Sequence, residues 1–164
     1  MIIIKNLECE ILRQIGALSR AIHYISDEKY KEINLQKGQF IFLTRICENP
    51  GINLITLSNM LRVDKTTTTK AIQRLIDGGY VIKEKNEEDK RGYKLKPTQE
   101  AINIYDFVIE EENRNIEVCF RNFNEEEKTL ATNFIKRMAE NTKVDWKFMK
   151  RERECTNDKK SKRR

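Results

Sequence analysis

A single histidine and two prolines occur in 164 residues, with only 6 glycines. The lone His23 offers no second imidazole for a metal cluster or a catalytic relay, and nothing near it, including Tyr24, marks a ligand site. It reads as a surface or core histidine. No Gly-rich phosphate loop, Cys/His cluster or nucleophile motif is present, so no enzyme activity and no cofactor are expected. Scarce proline and glycine leave room for long helices. Cys9, Cys47, Cys119 and Cys155 lie far apart, without Cys-x-x-Cys or Cys/His spacing. A zinc site is therefore not expected, and reduced thiols are. No run approaches the roughly 18 consecutive apolar residues of a membrane span. The opening Ile2-Ile3-Ile4 is too short for a signal-peptide core, and the expected location is cytoplasmic.

What is abundant is charge, at 35% of residues, beside 38% hydrophobic. The net charge of +6 is concentrated at one end. From Lys147 to Arg164 there are 9 basic and 3 acidic residues, so the preceding 146 residues balance. Within them, Asp64 to Pro97 carries 9 basic against 6 acidic residues, while Thr98 to Trp146 carries 6 against 11. The local excess in the middle segment is the part relevant to a nucleic-acid partner.

Apolar residues recur every three or four positions at Leu7, Ile11, Ile15, Leu18, Ile22 and Ile25, the stripe of an amphipathic helix. Ser26 to Asn34 breaks this pattern with charge and reads as a loop. Phe40, Leu43, Ile46 and Cys47 define a second helix, ended by Asn49-Pro50-Gly51. Asn53 is placed to cap a short third helix bearing Leu54, Leu57 and Leu61. After the tight Arg62-Val63 connection, Asp64 is placed to cap a fourth helix at its positive dipole end. Two short helices joined this closely make a helix-turn-helix.

The fourth helix turns Thr68, Ala71, Ile72, Leu75 and Ile76 inward. Thr66, Thr69, Lys70, Gln73 and Arg74 face outward, with Lys65 and Thr67 near the start. Four consecutive threonines are poor helix formers. Their small hydroxyl side chains would, however, let a helix backbone approach a groove floor. Gly78-Gly79 stops the helix. Tyr80-Val81-Ile82 and Tyr93-Lys94-Leu95 read as two strands around a charged tip, Asn86 to Gly92. Thr98 caps the next helix, and Asn124 with Glu127 resembles a capping box before the last one. Beyond Trp146 the chain is basic and poor in apolar residues, and reads as a solvated, disordered tail, with added nonspecific phosphate affinity as the alternative.

The stretch Val63-Asp64-Lys65-Thr66-Thr67 through Asp89-Lys90-Arg91, ending in Lys96-Pro97-Thr98, resembles the MarR family of bacterial transcriptional regulators. Asp89 and Arg91 match the Asp-x-Arg of that family's wing tip, and Gly79-Tyr80-Val81 matches the step into the ribbon. In outline the resemblance extends over six helices, from about Leu7 to Asn141. The chain departs from the family at Pro97-Thr98, where Leu-Thr is usual, and at Ala101, where Gly is usual. Pro97 lacks a donor, so the second strand is expected to end there. The acidic pair Glu87-Glu88 is poorly suited to lie near phosphates.

The resemblance implies a mainly α fold with a small β-wing, a winged helix-turn-helix flanked by dimerisation helices. Its parts are a first helix and loop (1–34), the winged domain (35–97), two dimerisation helices (98–146) and the basic tail (147–164). It implies a homodimer in which Leu7, Ile11, Leu18, Phe120, Phe123, Leu130, Phe134 and Met138 make the contacts, bound to a pseudo-palindrome in double-stranded DNA. On this reading Lys65 contacts phosphate, and Thr66, Thr67, Thr69 and Lys70 line the groove. Gln73 and Arg74 reach base edges. Lys90 and Arg91 anchor the wing, with Asp89 positioning Arg91. The expected role is repression, relieved by a small aromatic or phenolic effector between the dimer helices and the reading head. Two alternatives stand beside it. One is a winged-helix module for protein contact, against which the hydroxyl-rich, basic helix face weighs, since such sites favour apolar anchors. The other is a switch by cysteine oxidation at Cys9, near a helix start, although no resolving partner is evident.

Overall fold

The computed structural model describes residues 7–35, 38–85 and 92–161, with the side chains of 154–161 excepted. Seven α-helices and a two-stranded antiparallel sheet lie among the described residues. In chain order they are α1 (Ile11–Lys29), a 3-10 turn (Tyr30–Ile33), α2 (Phe40–Glu48), α3 (Leu54–Leu61) and α4 (Lys65–Asp77). The hairpin β1 (Val81–Lys85) and β2 (Tyr93–Pro97) follows, then α5 (Gln99–Cys119), α6 (Glu125–Asn141) and α7 (Lys143–Ser161). This is the expected mainly α architecture with a small β-wing.

Local chemistry sets the starts of four helices. The side chains of Asn53, Asp64, Thr98 and Asn124 each accept the amide hydrogen bond that opens α3, α4, α5 and α6. Each satisfies one of the backbone donors that a helix start leaves without a partner. Asn124 does so within a complete capping box, because Glu127 reaches back to the Asn124 amide at 2.8 Å.

One core joins α2, α3, α4, α5 and the hairpin. Leu43, Ile46, Leu57, Ile72, Leu75, Leu95, Ala101 and Val108 are all buried in it. The hairpin registers Val81 against Pro97 and Lys85 against Tyr93. Pro97 ends β2 as its missing donor requires, and the Thr98 amide resumes bonding, to the Tyr80 carbonyl at 3.0 Å. The turn after α2 adds a rung to the other edge, where the Leu95 amide donates to the Ile52 carbonyl at 2.9 Å. The wing is thereby tied to the helical core at its base.

Three sequence expectations change. Ser26 to Asn34 is not a loop. The helix α1 continues to Lys29 and the chain then makes a 3-10 turn. Glu28, Lys29, Lys31 and Glu32 are exposed, Asp27 is half-buried and accepts the Gly38 amide at 2.7 Å, and Ser26 and Tyr30 are buried. The Tyr30 hydroxyl donates to the Val108 carbonyl at 3.1 Å, and Asn115 donates to Ser26 Oγ at 3.2 Å, so α5 supplies the partners. Leu7 lies outside α1, which begins at Ile11, and is exposed.

The region from Lys147 is not a disordered tail, because α7 runs through it to Ser161. No Gly or Pro interrupts this helix, and Lys, Arg, Glu and Met favour it. It also has a tertiary anchor. Trp146 is half-buried, and Lys150 reaches α3, 91 and 92 residues back in the chain.

Candidate nucleic-acid interface

The site is built around the start of α4. Asp64 holds an extended backbone conformation and caps the helix, accepting the Thr67 amide at 2.9 Å and the Thr67 hydroxyl at 2.8 Å. Those bonds hold its carboxyl below the usual carboxylate range. Upstream, Arg62 ends α3 in the left-handed conformation at φ 54°. The Val63 amide bonds the Ser58 carbonyl at 3.0 Å, and the Ser58 hydroxyl donates to the Val63 carbonyl at 2.6 Å. These bonds fix the turn between the two helices. At the far end Gly79 takes φ 78°, and the Tyr80 amide closes back on the Leu75 carbonyl at 2.9 Å. Any side chain at Gly79 would be strained there. The buried Tyr80 then donates its hydroxyl to the Ile33 carbonyl at 2.6 Å, pinning the helix–wing junction to the body.

Helix α4 is two-sided as expected. Thr68, Ile72 and Leu75 are fully buried, with Ala71 and Ile76 half-buried. Lys65, Thr66, Thr67, Thr69, Lys70, Gln73 and Arg74 are all exposed. Three of the four threonines turn their hydroxyls back onto the helix. Thr67 bonds Asp64, Thr68 donates to the Asp64 carbonyl at 2.9 Å, and Thr69 donates to the Lys65 carbonyl at 2.8 Å. Thr67 and Thr69 therefore present a methyl group and an acceptor oxygen outward, with the hydroxyl hydrogen already used. Gln73 is also committed, donating to Asp77 at 2.8 Å. A base edge would have to exchange with Asp77, a coupling that the sequence reading missed although the i, i+4 spacing shows it.

The wing strands carry Lys83, Lys85, Lys94 and Lys96, the last paired with Glu84 at 2.7 Å. Asp89, Lys90 and Arg91, with Glu87 and Glu88, lie outside the described residues.

The fold matches 97% of the length of a MarR protein from Peptoclostridium difficile DA00132, with a TM-score of 0.85, 57% identity and 91% of this chain covered. The MarR family model matches residues 35–93. The chain belongs to the MarR family. It is accordingly a transcriptional regulator and not an enzyme. Among its relatives is an uncharacterized HTH-type transcriptional regulator, YybA, of Bacillus subtilis (strain 168), 36% identical over 87% of this chain and 95% of that protein. A MarR family regulator from Listeria monocytogenes, solved in complex with a 26-mer DNA, is 38% identical. It matches with a TM-score of 0.84 over 90% of this chain and 96% of its own.

The positions that the MarR resemblance marks for dimer contacts all lie outside the buried core. Leu7, Ile11, Leu18, Phe123, Leu130 and Phe134 are exposed, while Phe120 and Met138 are half-buried. Helix α6 buries no residue at all within the chain. His23 sits at the core edge, its ring 5.7 Å from that of Phe40. Cys9 is exposed, whereas burial pushes the half-buried Cys47 thiol up to about 11. No group of three or more potential metal ligands is found among the described residues.

Proposed function

We propose that this MarR-family chain is a sequence-specific double-stranded DNA-binding repressor that acts as a homodimer on a pseudo-palindromic operator. The observation that carries the reading is the two-sided α4. Its buried face is locked into the core, its start is fixed by Asp64, and its free face is short, hydroxyl-rich and basic. Such a helix fits the major groove, with threonine methyls against thymine methyls and Lys70, Gln73 and Arg74 reaching base edges and phosphates. The DNA complex of the Listeria relative supports the same partner for this chain. Lys65 sits where the helix start meets the backbone, and Arg91 and Lys90 at the wing tip would anchor the adjacent minor groove or phosphates, with Asp89 orienting Arg91.

The homodimer is supported by the apolar faces that one chain leaves uncovered. Leu130 and Phe134 lie one turn apart on α6, and each is about half exposed, at 51% and 50%. Large apolar surfaces rimmed by charge mark interaction sites. A two-fold dimer would place two α4 helices in major grooves about 34–36 Å apart, or a multiple of that. Release of DNA by a small aromatic effector completes the proposal. Gel-shift titration with genomic fragments at several salt concentrations tests it. A steep negative log–log dependence supports DNA binding, and no shift at any salt rejects it.

A further inference from the structure

We propose that α7 is a second DNA-contacting element, whose basic face grips phosphates flanking the groove that α4 enters. The inference rests on the DNA-binding reading above and deepens it. Where α7 crosses the helix-turn-helix, a cavity of about 310 Å³ gathers four cations, Lys65, Lys147, Lys150 and Arg151. Ser58 and Asn59 supply its neutral polar wall, and among the described residues no carboxylate lines it.

Each part of this arrangement has a local cause. Lys147, Lys150 and Arg151 stand three and four residues apart and so share one helix face. The Lys150 ammonium donates to Ser58 Oγ at 2.7 Å and Asn59 Oδ1 at 2.8 Å, and lies 4.8 Å from the centre of the Trp146 ring. These partners are uncharged, so they hold Lys150 in place without neutralising it. Arg62 ties the start of the same helix, donating to Thr142 Oγ1 at 2.9 Å. Lys65, the first residue of α4, adds its charge beside the positive end of the α4 dipole.

Like charges drawn to one cavity repel unless an anion joins them. The adjoining cleft of about 750 Å³ does contain acids, Asp64 and Glu152, together with Arg153. Asp64 keeps its charge while it caps α4, but it lines that cleft and not this cavity, where the charged groups among the described side chains are all cations. Its position selects the anion. In a helix-turn-helix the first helix crosses the DNA backbone while the second enters the groove. The cavity lies on α3 and shares Lys65 with α4, so a polyanion seated on α4 would pass its phosphates across it. Lys147, Lys150 and Arg151, at the start of the basic region, thus become part of the phosphate-gripping surface.

The test uses the full chain and a selected operator duplex, in one form trimmed to the core site and in another extended by several base pairs at each end. Lys147→Gln with Arg151→Gln removes two exposed cations that make none of the packing bonds described above. The salt slope on the extended duplex should become shallower by about 0.9 per lost phosphate contact, or up to about 1.8 per chain, with base preference unchanged. The parent should favour the extended duplex over the trimmed one, and the Gln variant should not. Lys147→Arg with Arg151→Lys should behave as the parent. Equal slopes for parent and Gln variant would overturn the proposal. So would tighter binding by the Gln variant, or an Arg/Lys exchange that behaves like Gln. A parent that binds no duplex would instead defeat the DNA-binding reading itself.

Discussion

The Asp64 carboxylate accepts both the backbone amide and the hydroxyl of Thr67, at 2.9 and 2.8 Å, and so couples the turn after α3 to the first turn of α4. Replacing it removes a cap and loosens the end of the helix from which Lys65, Thr66 and Thr67 project. Asp64→Ala should lower unfolding free energy by about 1 kcal/mol, and Asp64→Asn by less, since Asn also caps well. Urea denaturation of the three proteins checks this; an Ala variant as stable as the parent would remove the cap from the account.

The same bonds set a pH dependence. Because they hold the Asp64 carboxyl below its ordinary range in the folded chain, its contribution is fully present above the unfolded value, about 3.9. It fades as pH falls through the lower folded value. The stability difference between parent and Asp64→Asn should therefore be constant from pH 7 to 5 and change only below about 4. A change centred near neutrality would contradict that assignment.

Tyr80→Phe deletes the hydroxyl that reaches the Ile33 carbonyl and leaves the ring in place. A loss of about 1 kcal/mol is expected, with the fold retained. Gly79→Ala should cost at least as much, since its φ of 78° is strained for any side chain. Thermal unfolding of both variants provides the comparison.

The uncovered apolar face of α6 should hold two chains together. Phe134→Glu places a charge in that face and should shift sedimentation from dimer to monomer, with DNA affinity falling in parallel. A variant that sediments as the parent does would place the dimer contact elsewhere.

Arg91→Ala should reduce affinity for the operator by on the order of 1–3 kcal/mol, whereas Lys65→Ala should weaken binding to all sequences alike. Titration against operator and scrambled duplexes at fixed salt separates the two roles. Equal losses on both duplexes for Arg91→Ala would make it a backbone contact only.

Much of the fold was legible because its signals are local. Asn53, Asp64, Thr98 and Asn124 sit within three residues of the amides they cap, and Gly79 and Pro97 announce their backbone limits alone. The misreadings lie where distant partners decide. Ser26 and Tyr30 are surrounded in sequence by charge, and only α5 reveals them as buried. The helix α7 lacks an apolar stripe, and Lys150 finds its partners on α3. In the site, the outward face of α4 followed from periodicity, but the internal use of the Thr67 and Thr69 hydroxyls and the Gln73–Asp77 bond needed coordinates. Asp89, Lys90 and Arg91 rest on the resemblance to MarR wings alone.

The most direct test of the central claim is selection of bound duplexes from a random pool, followed by titration of the recovered sequence across salt. Two-fold related half-sites one helical turn or a multiple apart, bound with a steep negative salt slope, are expected. Recovered duplexes with no shared motif, bound no better than the starting pool, would contradict it.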